Sequence, residues 1–189
     1  MTKNELRKLY LSKRKSLTQE EVKSLSEQII KRFIASFNPT AEQSVHCFIS
    51  IPKFNEIETS TLINYCLDNG IKVFVPKVLN GKMISVAIDQ NTQYSTSQWG
   101  ISEPTSNQDT DFLHYDFVIT PLLYCDALGN RIGYGKGFYD DFFAKISQNT
   151  KKIGVSFFPP QEKIDDVRSE DIRLDYLITP EEVLSFGKS

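Results

Sequence analysis

Three glycines, Gly133, Gly135 and Gly137, alternate with larger residues in the run Asn-Arg-Ile-Gly-Tyr-Gly-Lys-Gly-Phe-Tyr-Asp-Asp, residues 130–141. A cation, Arg131, stands before them, Lys136 sits among them, and Asp140 and Asp141 follow. Glycine lets backbone N–H groups approach an anion with no Cβ in the way. A following helix adds unpaired N-terminal N–H groups and the positive end of its dipole. The chemistry indicated is phosphate binding. The spacing is neither the dinucleotide fingerprint nor the Walker A pattern. Taken alone, the loop fits either an anion cradle or a flexible glycine turn.

Other residues with chemical potential lie far from it in sequence. Lys3 and Arg7 are four apart on a helical stretch, residues 3–16, and so share one face. Their unaided reading is a solvated cationic helix. Glu56 follows an apolar run, residues 45–51, at the strand end where open α/β sheets bind ligands. A loop glutamate of this kind is usually only solvated. Trp99 lies in a polar stretch, residues 89–111, where it either stacks on a flat ligand or anchors the loop on the core.

The elements that must position these groups follow from periodicity and caps. Thr18 and Glu21 form a capping box, with Leu17 and Val22 placed as a hydrophobic staple. Val22, Leu25, Ile29 and Phe33 then form one apolar helix face, and residues 37–39 end it. Strands are predicted at 45–51, 71–75, 83–88, 117–123, 152–158 and 176–179. Further helices are predicted from about 59 to 69 and over 138–146. Asp126 and Gly129 supply turn chemistry before the glycine loop. Repeated strand-helix-strand order implies an α/β fold, a mostly parallel sheet with helices on both faces.

The chain has 189 residues, which suits a single domain over 1–189. Hydrophobic residues make up 40% and charged residues 24%, the balance of a soluble protein, and the net charge of −2 argues against broad nucleic-acid binding. Cys47, Cys66 and Cys125 are widely separated and read as buried free thiols, not as disulfides or a zinc site. His46 and His114 show no metal spacing. No run approaches a membrane span, no apolar signal core opens the chain, and the cytoplasm is the expected location. The basic start (Lys3, Arg7, Lys8, Lys13, Arg14, Lys15) resembles a transit peptide but runs into a capped helix, so it is read as part of the fold.

The run Arg-Ile-Gly-Tyr-Gly-Lys-Gly-Phe-Tyr-Asp closely resembles the signature loop of the 5-formyltetrahydrofolate cyclo-ligase family, Arg-Leu-Gly-x-Gly-x-Gly-Tyr-Tyr-Asp. Ile132 replaces a leucine and Phe138 a tyrosine. The opening Lys3-Asn4-Glu5-Leu6-Arg7 matches the family's Lys-x-x-Leu-Arg, and Glu56-Ile57-Glu58-Thr59 matches its folate-site segment. The resemblance extends from Lys3 to about Pro180 and implies a single Rossmann-like domain. It implies ATP contacts from Lys3, Asn4, Glu5, Leu6 and Arg7 and from the loop residues Arg131, Ile132, Gly133, Tyr134, Gly135, Lys136, Gly137, Phe138 and Tyr139. It places the folate against Ile51, Glu56, Tyr134, Gly135, Lys136, Gly137 and Phe138, and Mg²⁺ on Asp140 and Asp171. Arg131 and Tyr139 are the expected catalytic side chains.

The activity so implied is ATP- and Mg²⁺-dependent closure of 5-formyltetrahydrofolate to 5,10-methenyltetrahydrofolate, by a monomer acting on small molecules and not on nucleic acid or membrane. A carboxylate can accept two parallel N–H bonds from a pterin ring, which gives Glu56 a physical reason to be acidic. A binding module without catalysis remains an alternative, because a fold does not fix a function. Sugar-phosphate isomerases and acyl-CoA transferases share the fold but need other catalytic groups and no ATP.

Overall fold

The computed structural model describes residues 1–96 and 100–187, so Trp99 lies outside the described residues. Helix α1 (Lys3–Lys15) opens with a capping box in which the Thr2 side chain accepts from Glu5 N–H and the Glu5 carboxylate accepts from Thr2 N–H. Helix α2 (Gln19–Phe37) begins at the expected Thr18–Glu21 box and ends on Asn38 in the left-handed region, φ 40°. Strand β1 (Ser44–Cys47), a 3-10 turn (Pro52–Phe54), α3 (Ser60–Asp68), β2 (Lys72–Leu79) and β3 (Lys82–Ile88) follow. Then come the short β4 (Tyr94–Thr96) and β5 (Ser102–Pro104), β6 (Phe117–Pro121), β7 (Tyr124–Cys125) and β8 (Arg131–Ile132). The chain ends with α4 (Phe138–Phe143), β9 (Lys151–Val155), β10 (Tyr176–Ile178) and β11 (Val183–Ser185).

Seven strands form the central sheet in the order β11-β10-β9-β6-β1-β2-β3. The five inner strands run parallel, while β3 and β11 pair antiparallel at the two edges. Alternation sorts the side chains by face. Val45, Cys47, Val73, Val75, Phe117, Ile119, Ile153 and Val155 pack with Ile29, Ile30 and Phe33 of α2 and Leu62 and Cys66 of α3. Phe74, Val118 and Leu177 face the other way, onto Phe143 and Ile146 at and beyond α4. Helices therefore cover both faces of a mostly parallel sheet. Chain order reverses direction between β1 and β6, so the crevice beyond their C-terminal ends is the topological switch point. All three cysteines are buried and free, and among the described residues no helix is long and apolar enough to cross a membrane.

Three differences from the sequence reading concern the neighbourhood of the glycine loop. The strand feeding it is not the one at 117–123 but β8, the second arm of a hairpin with β7 in which each arm has two residues. The predicted helix over 138–146 is shorter, six residues, and its first turn carries Asp140 and Asp141. Its dipole is correspondingly small, so anion binding at the loop depends on N–H groups and cations more than on a helix end. Strand β1 stops at Cys47 and not at Ile51, because residues 48–51 leave the sheet to enter the 3-10 turn.

Helix α1 packs beyond the sheet, on the β7–β8 hairpin. Leu6 and Tyr10 are fully buried with Leu123, Tyr124 and Ile132, and the Tyr10 and Tyr124 rings stack 4.1 Å apart. The helix is thus not solvated all round. Burying an aliphatic side chain such as Leu6 or Ile132 contributes about 1.5–3 kcal/mol, against about 0–1 kcal/mol for an exposed ion pair. The apolar seam, not charge, docks the helix.

His46 lies in the sheet's second core, fully buried, with neither ring nitrogen hydrogen-bonded. Phe142 and Tyr115 flank it at ring-centroid distances of 4.5 and 5.3 Å. Burial lowers its pKa from 6.5 to about 3. Above pH 6.5 the ring is neutral in both folded and unfolded chains and has no effect on stability. Between pH 6.5 and about 3 the unfolded chain binds a proton that the folded chain does not, so stability falls as pH falls. The expected slope is about 1.4 kcal/mol per pH unit. Urea unfolding from pH 7 to 4 is expected to show this loss in the parent protein and a shallower one in His46→Phe.

Candidate active site

The hairpin that presents the glycine loop is braced by Asp126. Its buried carboxylate accepts from Leu128 N–H at 2.9 Å, Asn130 N–H at 3.0 Å and the Asn130 side-chain amide at 2.9 Å. Gly129, at φ +83°, has no space for a Cβ, which would sit 2.9 Å from the Leu174 carbonyl and 2.8 Å from the Phe186 ring. From this base Arg131 projects inward. One guanidinium nitrogen donates to Asp140 Oδ1 at 2.7 Å and another to the Ile172 carbonyl. The Phe143 ring lies 4.8 Å beneath it. Ile172 N–H donates to the same Asp140 oxygen at 3.1 Å. Arg131 therefore ties the hairpin, the start of α4 and the segment carrying Asp171 to one point. Burial pulls its pKa down and Asp140 pushes it back.

Two more cations reach this point from α1. The Lys3 amino group pairs with Asp171 Oδ2, which also accepts from Arg168 N–H at 2.6 Å. Desolvation works against the charged Asp171, but Lys3 and the Arg168 N–H outweigh it and lower its pKa. Arg7 Nε donates to the Gly133 carbonyl at 3.0 Å. Its guanidinium lies across Gly135, where a Cβ would come within 3.3 Å of it and where φ is +86°. Among the described residues, the backbone N–H groups of Gly133, Tyr134, Gly135, Lys136 and Gly137 make no hydrogen bond within the protein. A row of free N–H groups between Arg7 and Arg131 is an anion cradle in chemical terms.

The loop's Tyr134 turns toward the crevice at the strand ends. Its hydroxyl donates to Glu56 Oε1 at 3.0 Å, and Ile51 N–H donates to Glu56 Oε2 at 2.8 Å. Glu56 is 5% exposed. Burial raises its pKa, opposed by Ile51 N–H, Arg14 and Tyr134. The Tyr134 phenol is raised too, by burial and then by the neighbouring Glu56 charge. Glu56 and Arg14 line the crevice with Phe48, Leu122, Ser156 and Phe158.

Not every expected residue points into this arrangement. Leu6 and Ile132 are fully buried in the core under α1, and Glu5 is committed to the helix cap. Lys136 is exposed. Ile51 takes part through its backbone N–H. Phe138 lines a groove of about 300 Å³ with Met83, Phe112, Tyr115 and Phe142, which Glu56 does not line. The Tyr139 hydroxyl is buried with no hydrogen-bond partner. Burial, then Cys47 and Glu56, raise its pKa well above the ordinary value. Sequence reasoning missed two residues, Arg14 and Asn55. Asn55 sits at φ 47° and its amide donates to the Arg14 and Leu17 carbonyls at 3.1 and 2.9 Å.

No group of three or more His, Cys, Asp or Glu forms a metal cage among the described residues. Asp140 and Asp171 are nonetheless joined through Ile172 and Arg131 at one end of the cradle. Two carboxylates suit Mg²⁺ when phosphate oxygens and waters complete its shell.

Comparison with known proteins places the fold and the sequence in one family. A solved structure of 5,10-methenyltetrahydrofolate synthetase from Aquifex aeolicus superposes with a TM-score of 0.78 at 26% identity, covering 100% of this chain and 96% of that one. The corresponding synthetase from Mycoplasma pneumoniae gives 0.71 at 25% identity, covering 96% and 100%. A probable 5-formyltetrahydrofolate cyclo-ligase from Schizosaccharomyces pombe is 27% identical over 97% of this chain and 98% of its own length. The profile of the 5-formyltetrahydrofolate cyclo-ligase family matches residues 1–180. The match spans nearly the whole length at the level of both sequence profile and fold, and this chain belongs to the 5-formyltetrahydrofolate cyclo-ligase family.

Proposed function

We propose that this protein closes 5-formyltetrahydrofolate to 5,10-methenyltetrahydrofolate, using ATP and releasing ADP and phosphate, as one domain spanning the chain. The observation that carries the reading is the direct link between the two halves of the site. Tyr134 belongs to the phosphate-type loop, and its hydroxyl rests on the carboxylate suited to a pterin. Two substrates that must react with each other would meet there.

The chemistry needs this proximity. A formamide oxygen is a poor leaving group. Transfer of the γ-phosphoryl group to that oxygen converts it into phosphate. The folate N10 then attacks the formyl carbon, the C–O bond breaks with loss of phosphate, and the N10 proton leaves to solvent. Phosphoryl transfer asks the protein chiefly for positioning and positive charge. Arg7, Lys3 and the free loop N–H groups hold the nucleotide. Arg131 faces the transferred charge. Asp140 and Asp171 would hold Mg²⁺, which neutralises phosphate charge when bound. Lys3 and Arg131 occupy one oxygen of each carboxylate, so the second oxygen of each would be the one to meet the metal. Glu56, held by the Ile51 N–H, fixes the pterin; Phe138, in a separate groove, would meet a part of the folate away from Glu56.

Three outcomes are expected. Near-UV absorbance should grow when the protein is mixed with 5-formyltetrahydrofolate, Mg²⁺ and ATP, because the product has a conjugated bridge. Growth should vanish without ATP and in Asp140→Ala that still melts cooperatively. A folded protein that binds folate and ATP with no product would instead be a binding module. Gly135→Ala places a Cβ at positive φ against Arg7, costing about 1–2 kcal/mol of local strain. It should raise the KM for ATP by about tenfold. Phe138→Tyr should alter folate affinity by no more than one hydrogen bond, about 0.5–1.5 kcal/mol, and should retain turnover.

A further inference from the structure

Arg14 is a cation in an expensive place. It is 5% exposed, and no salt bridge to it is formed among the described residues. Its Nε has no hydrogen-bond partner. Its Nη1 reaches the Leu122 carbonyl only at 3.4 Å, and its Nη2 donates to the Tyr134 hydroxyl. A guanidinium stays charged in proteins, and a buried charge without an ion pair costs stability unless something compensates it. The nearest anion along its contacts is Glu56, one hydrogen bond beyond Tyr134. The backbone of Arg14 is pinned to the same loop, because the side chain of Asn55, the residue next to Glu56, donates to the Arg14 carbonyl.

We propose that Arg14 is a positioning residue of the substrate site, aiming the Tyr134 hydroxyl and, through it, the Glu56 carboxylate at the folate ring. The inference rests on the reading of Glu56 as the folate's acceptor. The chain runs from guanidinium to phenol to carboxylate. Each member orients the next, and the positive charge at its head favours the ionised carboxylate at its end. Tyr134 also carries the glycine loop, so Arg14 couples the geometry of the nucleotide side to that of the folate side.

The groups facing Glu56 are few. Arg14 approaches from α1, Tyr134 from the glycine loop, and Tyr139 from α4, where its hydroxyl senses the Glu56 charge. The two tyrosines are neutral through the acidic range. Among the described residues, Arg14 is the charged neighbour that favours the ionised Glu56, so its removal changes how readily Glu56 ionises. Without it, burial acts unopposed by a cation, and a higher pH is needed for the carboxylate to be charged.

The test is the affinity of the full-length protein for 5-formyltetrahydrofolate, without ATP, by calorimetry from pH 4.5 to 8. The ligand's own carboxyl groups titrate alike in every variant, so differences isolate the protein. Wild type should bind more tightly as pH rises through the Glu56 ionisation. Arg14→Met should move that midpoint upward by about one pH unit and weaken binding below it. Tyr134→Phe should move it in the same direction. Arg14→Lys, which keeps a charge, should restore most of the wild-type midpoint. Glu56→Gln should abolish the pH dependence. If Glu56→Gln abolishes it while folded Arg14→Met leaves the midpoint in place, Arg14 is only structural and the proposal fails. If Glu56→Gln binds with wild-type affinity and pH dependence, the assignment of Glu56 fails and the proposal with it. If Arg14→Met does not fold, an unmoved midpoint in Tyr134→Phe overturns the relay.

Discussion

The docking of the first helix on the β7–β8 hairpin is the contact on which the site depends. Leu6 and Tyr10 bury an apolar seam against Tyr124 and Ile132, and this fixes where the other side chains of that helix end up. Lys3, Arg7 and Arg14 fall at spacings of four and seven residues, the same face as Tyr10. Once the seam is closed, Lys3 must lie at Asp171, Arg7 at Gly133 and Arg14 at Tyr134. Three cations are thereby set along one line, from the carboxylates at one end of the cradle to the crevice of Glu56 at the other. The polar contacts then fix where each cation points, on a helix already held by its buried seam.

The second constraint is the rigidity of the loop's foundation. A glycine-rich loop has entropy to lose on binding a ligand. Here both of its ends are fixed. Asp126 and the close packing at Gly129 set the hairpin beneath it. Arg131 clamps its start to Asp140 at the head of α4. Between these anchors the loop's N–H groups are left without internal partners, which keeps them for a ligand. The short α4 contributes little dipole, so preorganised donors and cations replace the helix end that the sequence pattern led one to expect.

Much of this was legible in the sequence because it was local. The Thr18–Glu21 box, the alternating apolar strands and the glycine spacing each report a structure within a few residues of themselves. The parallel order of the sheet followed from the alternation of elements. The Asn80-Gly81 pair, both at positive φ, makes the β2–β3 hairpin. It is a strong turn signal, but the sequence reading drew nothing from it. What was not legible depended on partners far along the chain. Strands β7 and β8 have two residues each, too few to show a period. Arg14 looked like one more lysine-rich helix residue, because its meaning lies 120 residues away in Tyr134. Leu6 and Ile132 sit inside the signature runs but belong to the core, since a motif records neighbours in sequence and not the direction each side chain takes.

The central claim is that α1 brings its cations to the glycine loop to hold a nucleotide, and does not merely brace the loop. The most direct measurement is the affinity of a non-hydrolysable Mg²⁺–ATP analogue for Arg7→Met beside the parent protein, with a thermal melt of each. The Leu6–Tyr10 seam survives this change, so the melting midpoint should shift little. Loss of one charge-assisted contact, about 1.5–3 kcal/mol, should weaken the analogue by about 10- to 150-fold. Unchanged nucleotide affinity, with the melting midpoint lowered, would contradict the account and leave Arg7 as a structural tie to Gly133.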